Sequence, residues 1–198
     1  MDKHNYSKMT KVIFNISMSL DGYIEGLNHD VSQLHSWYFS GDIELPGTSF
    51  RISKASVELM TAAAASIGAM VTGKKTFNIS DAWGGHPPLG VHHFVVTHNP
   101  IAEWQKDDSP FTFVTNGVKQ AIELAKAKAG QKNVCISSAS VLQQALKENL
   151  VDEIHIDLVP VLLGNGTPLF ANTSEPTKLK LFRAVSGIGV VHLAFRVE

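Results

Sequence analysis

Four short segments of this chain combine hydroxyls, lysines, glycines and a carboxylate in patterns suited to a nucleotide ligand. In Val71-Thr72-Gly73-Lys74-Lys75-Thr76-Phe77 a strand-like run ends at a glycine, two lysines follow, and Thr76 stands where a helix begins. Free amides at a helix start attract anions, and lysine adds charge. Val96-Thr97-His98-Asn99 closes a second strand-like run, and ligands of open α/β sheets sit at such strand ends. Ile136-Ser137-Ser138-Ala139-Ser140-Val141 offers three hydroxyls at a helix start. Capping needs one of them, which leaves a surplus for a diphosphate. In Ser17-Met18-Ser19-Leu20-Asp21-Gly22-Tyr23-Ile24, Asp21 is the only carboxylate between Asp2 and Glu25. It suits orientation of a ring or relay of a proton. Each segment also has a plain reading: a β-to-α turn with solvated lysines, an exposed loop histidine, serine capping, and a turn aspartate before glycine.

Other chemistries lose support. Nine histidines are scattered without HExxH or H-x-H spacing, and His92 and His93 would point to opposite sides of a strand; no metal site is expected. Neither GxSxG, GxGxxG nor the Walker pattern GxxxxGK[ST] occurs. The lone Cys135 excludes an internal disulfide and a CxxC zinc framework, so a reducing, cytoplasmic setting is expected. With 17 Lys+Arg against 18 Asp+Glu, the net charge is −1. That gives no general field for nucleic acid or an anionic membrane. The polar first residues argue against a secretory signal. The longest apolar stretch, Leu59 to Val71, is broken by Thr61, Ser66 and Gly68 and falls short of the ~20 residues a span requires.

The elements that must position these segments follow from periodicity. Val12–Ile16, Ala69–Thr72, His93–Thr97, Phe111–Thr115, Asn133–Ser137 and Glu153–Val161 read as strands. Helices are expected at Ser53–Ser66, Thr76–Ala82, Gly117–Ala129 and Ser138–Asn149, with a short one at Val31–Tyr38. In the first of these, Ala55, Leu59, Ala62, Ala63 and Ser66 share a face and Gly68 ends the helix. Trp83–Gly90 is expected to be irregular. Lys178–Val185 and Val190–Val197 form a closing hairpin. Strands alternating with helices argue for an α/β fold with a mostly parallel central sheet, and the hairpin argues for an antiparallel edge. The expectation is one domain over residues 11–198 behind a flexible leader of residues 1–10.

Together these segments resemble the dihydrofolate-reductase-like family, and within it the reductase half of the riboflavin-biosynthesis deaminase/reductase, the RibD C-terminal type. The most specific run is Leu150-Val151-Asp152-Glu153 leading to Val159-Pro160-Val161-Leu162-Leu163-Gly164-Asn165-Gly166-Thr167-Pro168-Leu169-Phe170. Ser19–Ile24, Val71–Phe77 and Val95–His98 match further family segments in order, over about residues 10–198. The resemblance implies a three-layer α/β/α domain that binds NADPH across the strand ends and works as a homodimer. Carried over by position, Gly73, Lys74, Lys75 and Thr76 face the adenosine phosphates, Thr97 and His98 lie on the 2′-phosphate side, and Ser137, Ser138, Ala139, Ser140 and Val141 hold the diphosphate. Asp21 is the catalytic candidate, with Tyr23, Trp83 and Phe170 around the substrate.

The chain departs from the family pattern at Ser137-Ser138, where Gly-Gly is usual, and at His98, where arginine is common. With one cysteine and no H-x-E with PCxxC, the sequence holds no zinc deaminase site. The leading expectation is an NADPH-dependent reductase of a small pterin- or pyrimidine-like heterocycle, of the 5-amino-6-(5-phosphoribosylamino)uracil reductase kind. The alternatives are a nucleotide-binding module without turnover and a flavin-dependent oxidoreductase.

Overall fold

The computed structural model describes residues 10–171 and 176–198; apart from Thr10, the expected leader lies outside them. In chain order the strands and helices are β1 (Val12–Ser19), β2 (Tyr23–Glu25), α1 (Ser32–His35), β3 (Ile43–Glu44), β4 (Arg51–Ile52), α2 (Lys54–Ser66), β5 (Ile67–Gly73), α3 (Lys74–Ile79), β6 (His92–Val96), β7 (Phe111–Val114), α4 (Val118–Ala129), β8 (Asn133–Ile136), α5 (Ala139–Lys147), β9 (Glu153–Val159), β10 (Thr167–Pro168), β11 (Leu179–Ser186) and β12 (Val191–Val197). The chain forms an α/β fold with a mostly parallel sheet and antiparallel strands at its C-terminal end, as the alternating pattern predicts.

The contacts of the described residues group into two compact units: 10–13 with Ser66–Leu150, and Phe14–Ala65 with Val151–Glu198. In the first unit the order is β8–β5–β6–β7, every pair parallel. Helix α4 buries Val118, Ala121, Ile122, Ala125 and Ala129, the apolar stripe of a 3.6-residue period. Gly68 lies inside β5 and does not stop a helix. A side chain there would begin 2.8 Å from the Ala129 carbonyl, so glycine lets β5 run close beneath the end of α4. Cys135 is buried with Ile13, Ile67 and Met70.

In the second unit the order is β11–β12–β9–β1, with β11/β12 and β12/β9 antiparallel. Strand β1 runs three residues beyond the expected Ile16. From Asn15 to Ser19 it alternates polar and apolar side chains, the period of a strand that presents one polar face. Helix α2 turns in Ser56, with Val57 and Met60 half-buried against the core of Leu34, Trp37, Ile52, Val159 and Val190. The expected face is corrected, because Ala62 and Ala63 are exposed. A buried hydrogen bond from Ser56 to His192 decides which side of the helix faces inward.

One core histidine sets a pH response. His93 of β6 is fully buried among Trp83 and Phe111, with ring centroids at 5.1 and 6.1 Å. Its Nδ1 has no hydrogen-bond partner, and burial pushes its pKa down from 6.5 to about 4. Below pH 6.5 the unfolded chain takes up a proton that the folded chain accepts only near pH 4. Stability therefore falls as pH is lowered across that window, by at most about 3 kcal/mol. Urea unfolding between pH 7 and 4 is expected to show this loss in the wild type. His93→Leu is expected to flatten it.

Candidate functional site

The segments expected to hold a cofactor meet in the first unit around one hydroxyl. Ser138 stands at the N-cap position of α5 but makes no capping bond. Its Oγ instead accepts the Gly73 amide at 2.8 Å and bonds the hydroxyls of Thr76 at 2.8 Å and Thr72 at 3.1 Å. The turn after β5 and the turn after β8 are thus clipped together by a side chain only 4% exposed. Ser138 is engaged within the protein. The first amides of α5, at Ala139, Ser140 and Val141, receive no side-chain cap. The Ser137 hydroxyl is buried with no partner. Uncapped amides and an unpaired hydroxyl at a helix start are the donor set that a diphosphate requires, so these residues fit NADPH. Val141 itself is core.

The lysines divide. Lys74 Nζ donates to the Asn99 carbonyl at 2.6 Å, which ties the β5 turn to the segment after β6. There Thr97 is buried and trades hydrogen bonds with Asn99, while His98 is exposed. Lys75 is exposed on the first turn of α3. Trp83 also belongs to this unit. It stands in a run of left-handed backbone, with φ 47° at Asp81, 48° at Ala82 and 50° at Trp83, before Gly84 and Gly85. Such residues are strained and persist only where packing over-determines them. Here Phe77, His93 and Phe111 hold the indole.

The second unit assembles Asp21, Tyr23 and Phe170. Asp21 Oδ1 accepts the Ser19 hydroxyl at 2.6 Å and the Leu163 amide at 3.1 Å, and Oδ2 accepts the Gly164 amide at 2.7 Å. The Ser19 bond first, then the Gly164 amide, hold its carboxyl below the usual range, so Asp21 is an ionised acceptor at neutral pH. Strand β2 pairs with β10 (Tyr23 opposite Pro168), the Leu169 amide donates to the Gly22 carbonyl at 2.9 Å, and the Thr167 hydroxyl donates to Glu25. Phe170, exposed, follows directly. Gly166 is required there: its φ is +132° and a side chain would begin 2.0 Å from the Glu25 carbonyl.

Residue types and spacing did not single out a second polar cluster in this unit. The Trp37 indole donates to Ser17 at 3.2 Å, and His192 bridges Asp157 and Ser56 at 2.6 and 2.8 Å. The one signal in the sequence is the alternation Asn15, Ser17, Ser19. Its partners lie far away in the chain and carry no local motif. Among the described residues, no group of three or more His, Cys, Asp or Glu is placed to hold a metal ion, and no helix is long and apolar enough to cross a membrane.

Removing the Ser138 hydroxyl strands a buried amide. Ser138→Ala is expected to cost about 1–3 kcal/mol in urea unfolding, whereas the exposed Ser140→Ala should stay within about 0.5 kcal/mol of wild type.

Known proteins are similar to this chain in sequence and fold. The RibD C-terminal domain model matches residues 10–193. An uncharacterized protein of Bacillus subtilis, YyaP, is 25% identical, over 96% of this chain and 97% of its own. Among solved structures, a putative riboflavin biosynthesis protein from Shewanella sp. PV-4 superposes with a TM-score of 0.76 at 22% identity, covering 96% of this chain and 99% of that one. The Thermotoga maritima diaminohydroxyphosphoribosylaminopyrimidine deaminase/5-amino-6-(5-phosphoribosylamino)uracil reductase gives 0.63 at 11% identity, with 97% of this chain on 58% of that one. At these identities the structural likeness speaks for the fold.

Proposed function

The chain belongs to the RibD C-terminal domain family, and we propose that it is an NADPH-dependent reductase of a small pterin- or pyrimidine-like heterocycle. The observation that carries this reading is the donor set after β8: uncapped α5 amides beside the unpartnered Ser137 hydroxyl, with the neighbouring turn held in place by Ser138. Gly73 and Thr76 shape that turn, the lysines add positive charge, and Thr97 and His98 edge the same surface. Bound NADPH supplies the hydride. The protein's part is to bind, orient and exclude water.

On the substrate side, Asp21 is held ionised by Ser19 and the Leu163 and Gly164 amides. In this reading it fixes the 163–170 loop, and with it Phe170, and sets a negative charge beside the reacting ring; Tyr23 and Trp83 complete the substrate candidates. The exposed Leu181 and Phe182 of β11 are in keeping with the homodimer that the resemblance implies.

Titration with NADPH is expected to quench tryptophan fluorescence saturably and to raise Tm; absence of both effects refutes the reading. Asp21→Asn should lower turnover at least about tenfold while the NADPH dissociation constant changes less than about twofold. The Asp21 bonds also suit a nucleotide-binding module without turnover, because they occupy both carboxylate oxygens. Tight NADPH binding with no oxidation across pterins, pyrimidines and quinones would select that second reading.

A further inference from the structure

The second unit contains a serine, a histidine and an aspartate in sequence of contact: Ser56 Oγ to His192 Nε2 at 2.8 Å, and His192 Nδ1 to Asp157 Oδ1 at 2.6 Å. This is the contact order of a nucleophilic triad, and burial rules that use out. Ser56 is 0% and His192 3% exposed, and Gly187 closes over the hydroxyl so tightly that a side chain there would begin 2.5 Å from it. No substrate reaches such a serine, so the chain of bonds must serve its other end, Asp157.

Ser53 Oγ accepts the Ser56 amide at 3.2 Å and lies 2.9 Å from Ser56 Oγ, where either hydroxyl can donate. In the arrangement where Ser56 donates to Nε2, the His192 Nδ1–H donates to Asp157 Oδ1. The other oxygen is treated differently. Oδ2 has one long contact, 3.4 Å from the Asn15 amide, and Asn15 is exposed. Burial first, and then the Asp157 charge, push the Tyr38 phenol well above its ordinary pKa, so it stays protonated. Trp37 stands edge-on to His192, with centroids 5.2 Å apart, and fixes the imidazole plane. One oxygen of a mostly buried carboxylate is therefore saturated and immobile, while the other faces an exposed amide with acceptor capacity to spare.

Its placement continues the site already described. Asn15, Ser17 and Ser19 are alternate residues of β1, so they share a face and span about 13 Å. Ser19 bonds Asp21, Ser17 bonds Trp37, and Asn15 bonds Asp157. The polar face of β1 runs from the Asp21 turn to the Asp157 carboxylate.

We propose that Asp157, through Oδ2 and together with Asn15, recognises the substrate by accepting N–H groups of an amino-substituted heterocycle, with His192 and Ser56 as positioning residues. Oδ2 can accept one N–H in a charge-assisted bond and the Asn15 amide oxygen a second, and a ring without N–H groups leaves both acceptors unmet and is rejected. The assignment takes its substrate class from the reductase reading and is otherwise independent of it.

Calorimetric titration of the full chain, alone and with saturating NADPH, tests it with 2,6-diaminopyrimidin-4-one and with 1,3-dimethyluracil, which has no N–H. Wild type should bind the first compound and not the second. Asp157→Asn should weaken that binding at least about tenfold, and the exposed Asn15→Ala, which has no core to disrupt, several-fold. NADPH affinity should stay within about twofold in both variants. His192→Asn, which retains a donor toward Asp157, should keep most of the binding that His192→Leu loses, even where both lower Tm. Equal binding of the diaminopyrimidinone by wild type, Asp157→Asn and Asn15→Ala overturns the proposal. So does equal affinity for dimethyluracil, or no uptake of the diaminopyrimidinone in either condition. A wild type that takes this compound but not NADPH leaves Asp157 in its role and removes the reductase reading; one that takes NADPH alone does the reverse.

Discussion

A strand that carries hydroxyls on a covered face must find a partner for each, because an unpaired buried polar group costs as much as several good contacts return. Strand β1 meets that constraint at Ser17 and Ser19, and the same face continues to the exposed Asn15. Ser19 gives its proton to Asp21, Ser17 takes one from Trp37, and Asn15 turns toward Asp157. Each partner then fixes something larger. Asp21 anchors the 163–170 loop, Trp37 seats the segment around α1 on the core, and Asp157 orders the His192 and Ser56 bonds that decide which face α2 buries. The second unit is organised outward from this polar face as much as from its apolar core.

In the first unit the same accounting runs through Ser138. A serine at a helix start ordinarily caps that helix. This one serves the neighbouring turn, and the helix start is left with amides to spare. The two adjacent serines take different parts: Ser138 binds protein to protein, and Ser137 keeps an uncommitted hydroxyl.

Much of this was legible in the residues. Parallel strands, the Lys/Glu-faced α4, the closing hairpin and the turns at Gly73 and Ser137–Ser140 follow from periodicity and turn chemistry, which are local. The errors have causes that lie far away in the chain. Gly68 looks like a helix stop until the Ala129 backbone that presses on it is known, and the alanines of α2 look like its inner face until His192 claims Ser56. The Asp157 network stayed hidden because its members are separated by more than a hundred residues (Asn15 and Ser56 from Asp157 and His192), and no spacing rule reaches that far. The left-handed run at Asp81–Trp83 was also invisible, since neither aspartate, alanine nor tryptophan announces it; the aromatic packing imposes it.

The meeting of Gly166 with the Glu25 carbonyl has a consequence for how this fold varies. Contact that close admits glycine alone, and the residues on either side, Asn165 and Thr167, both bring a side chain. The loop therefore cannot slide by one position along β2 without collision, which makes the crossing a fixed register mark. A residue inserted or deleted between Gly166 and Leu169 shifts the pairing with β2. Turns that touch no such mark, such as the exposed stretch 105–108 ahead of β7, carry no such restriction on their length.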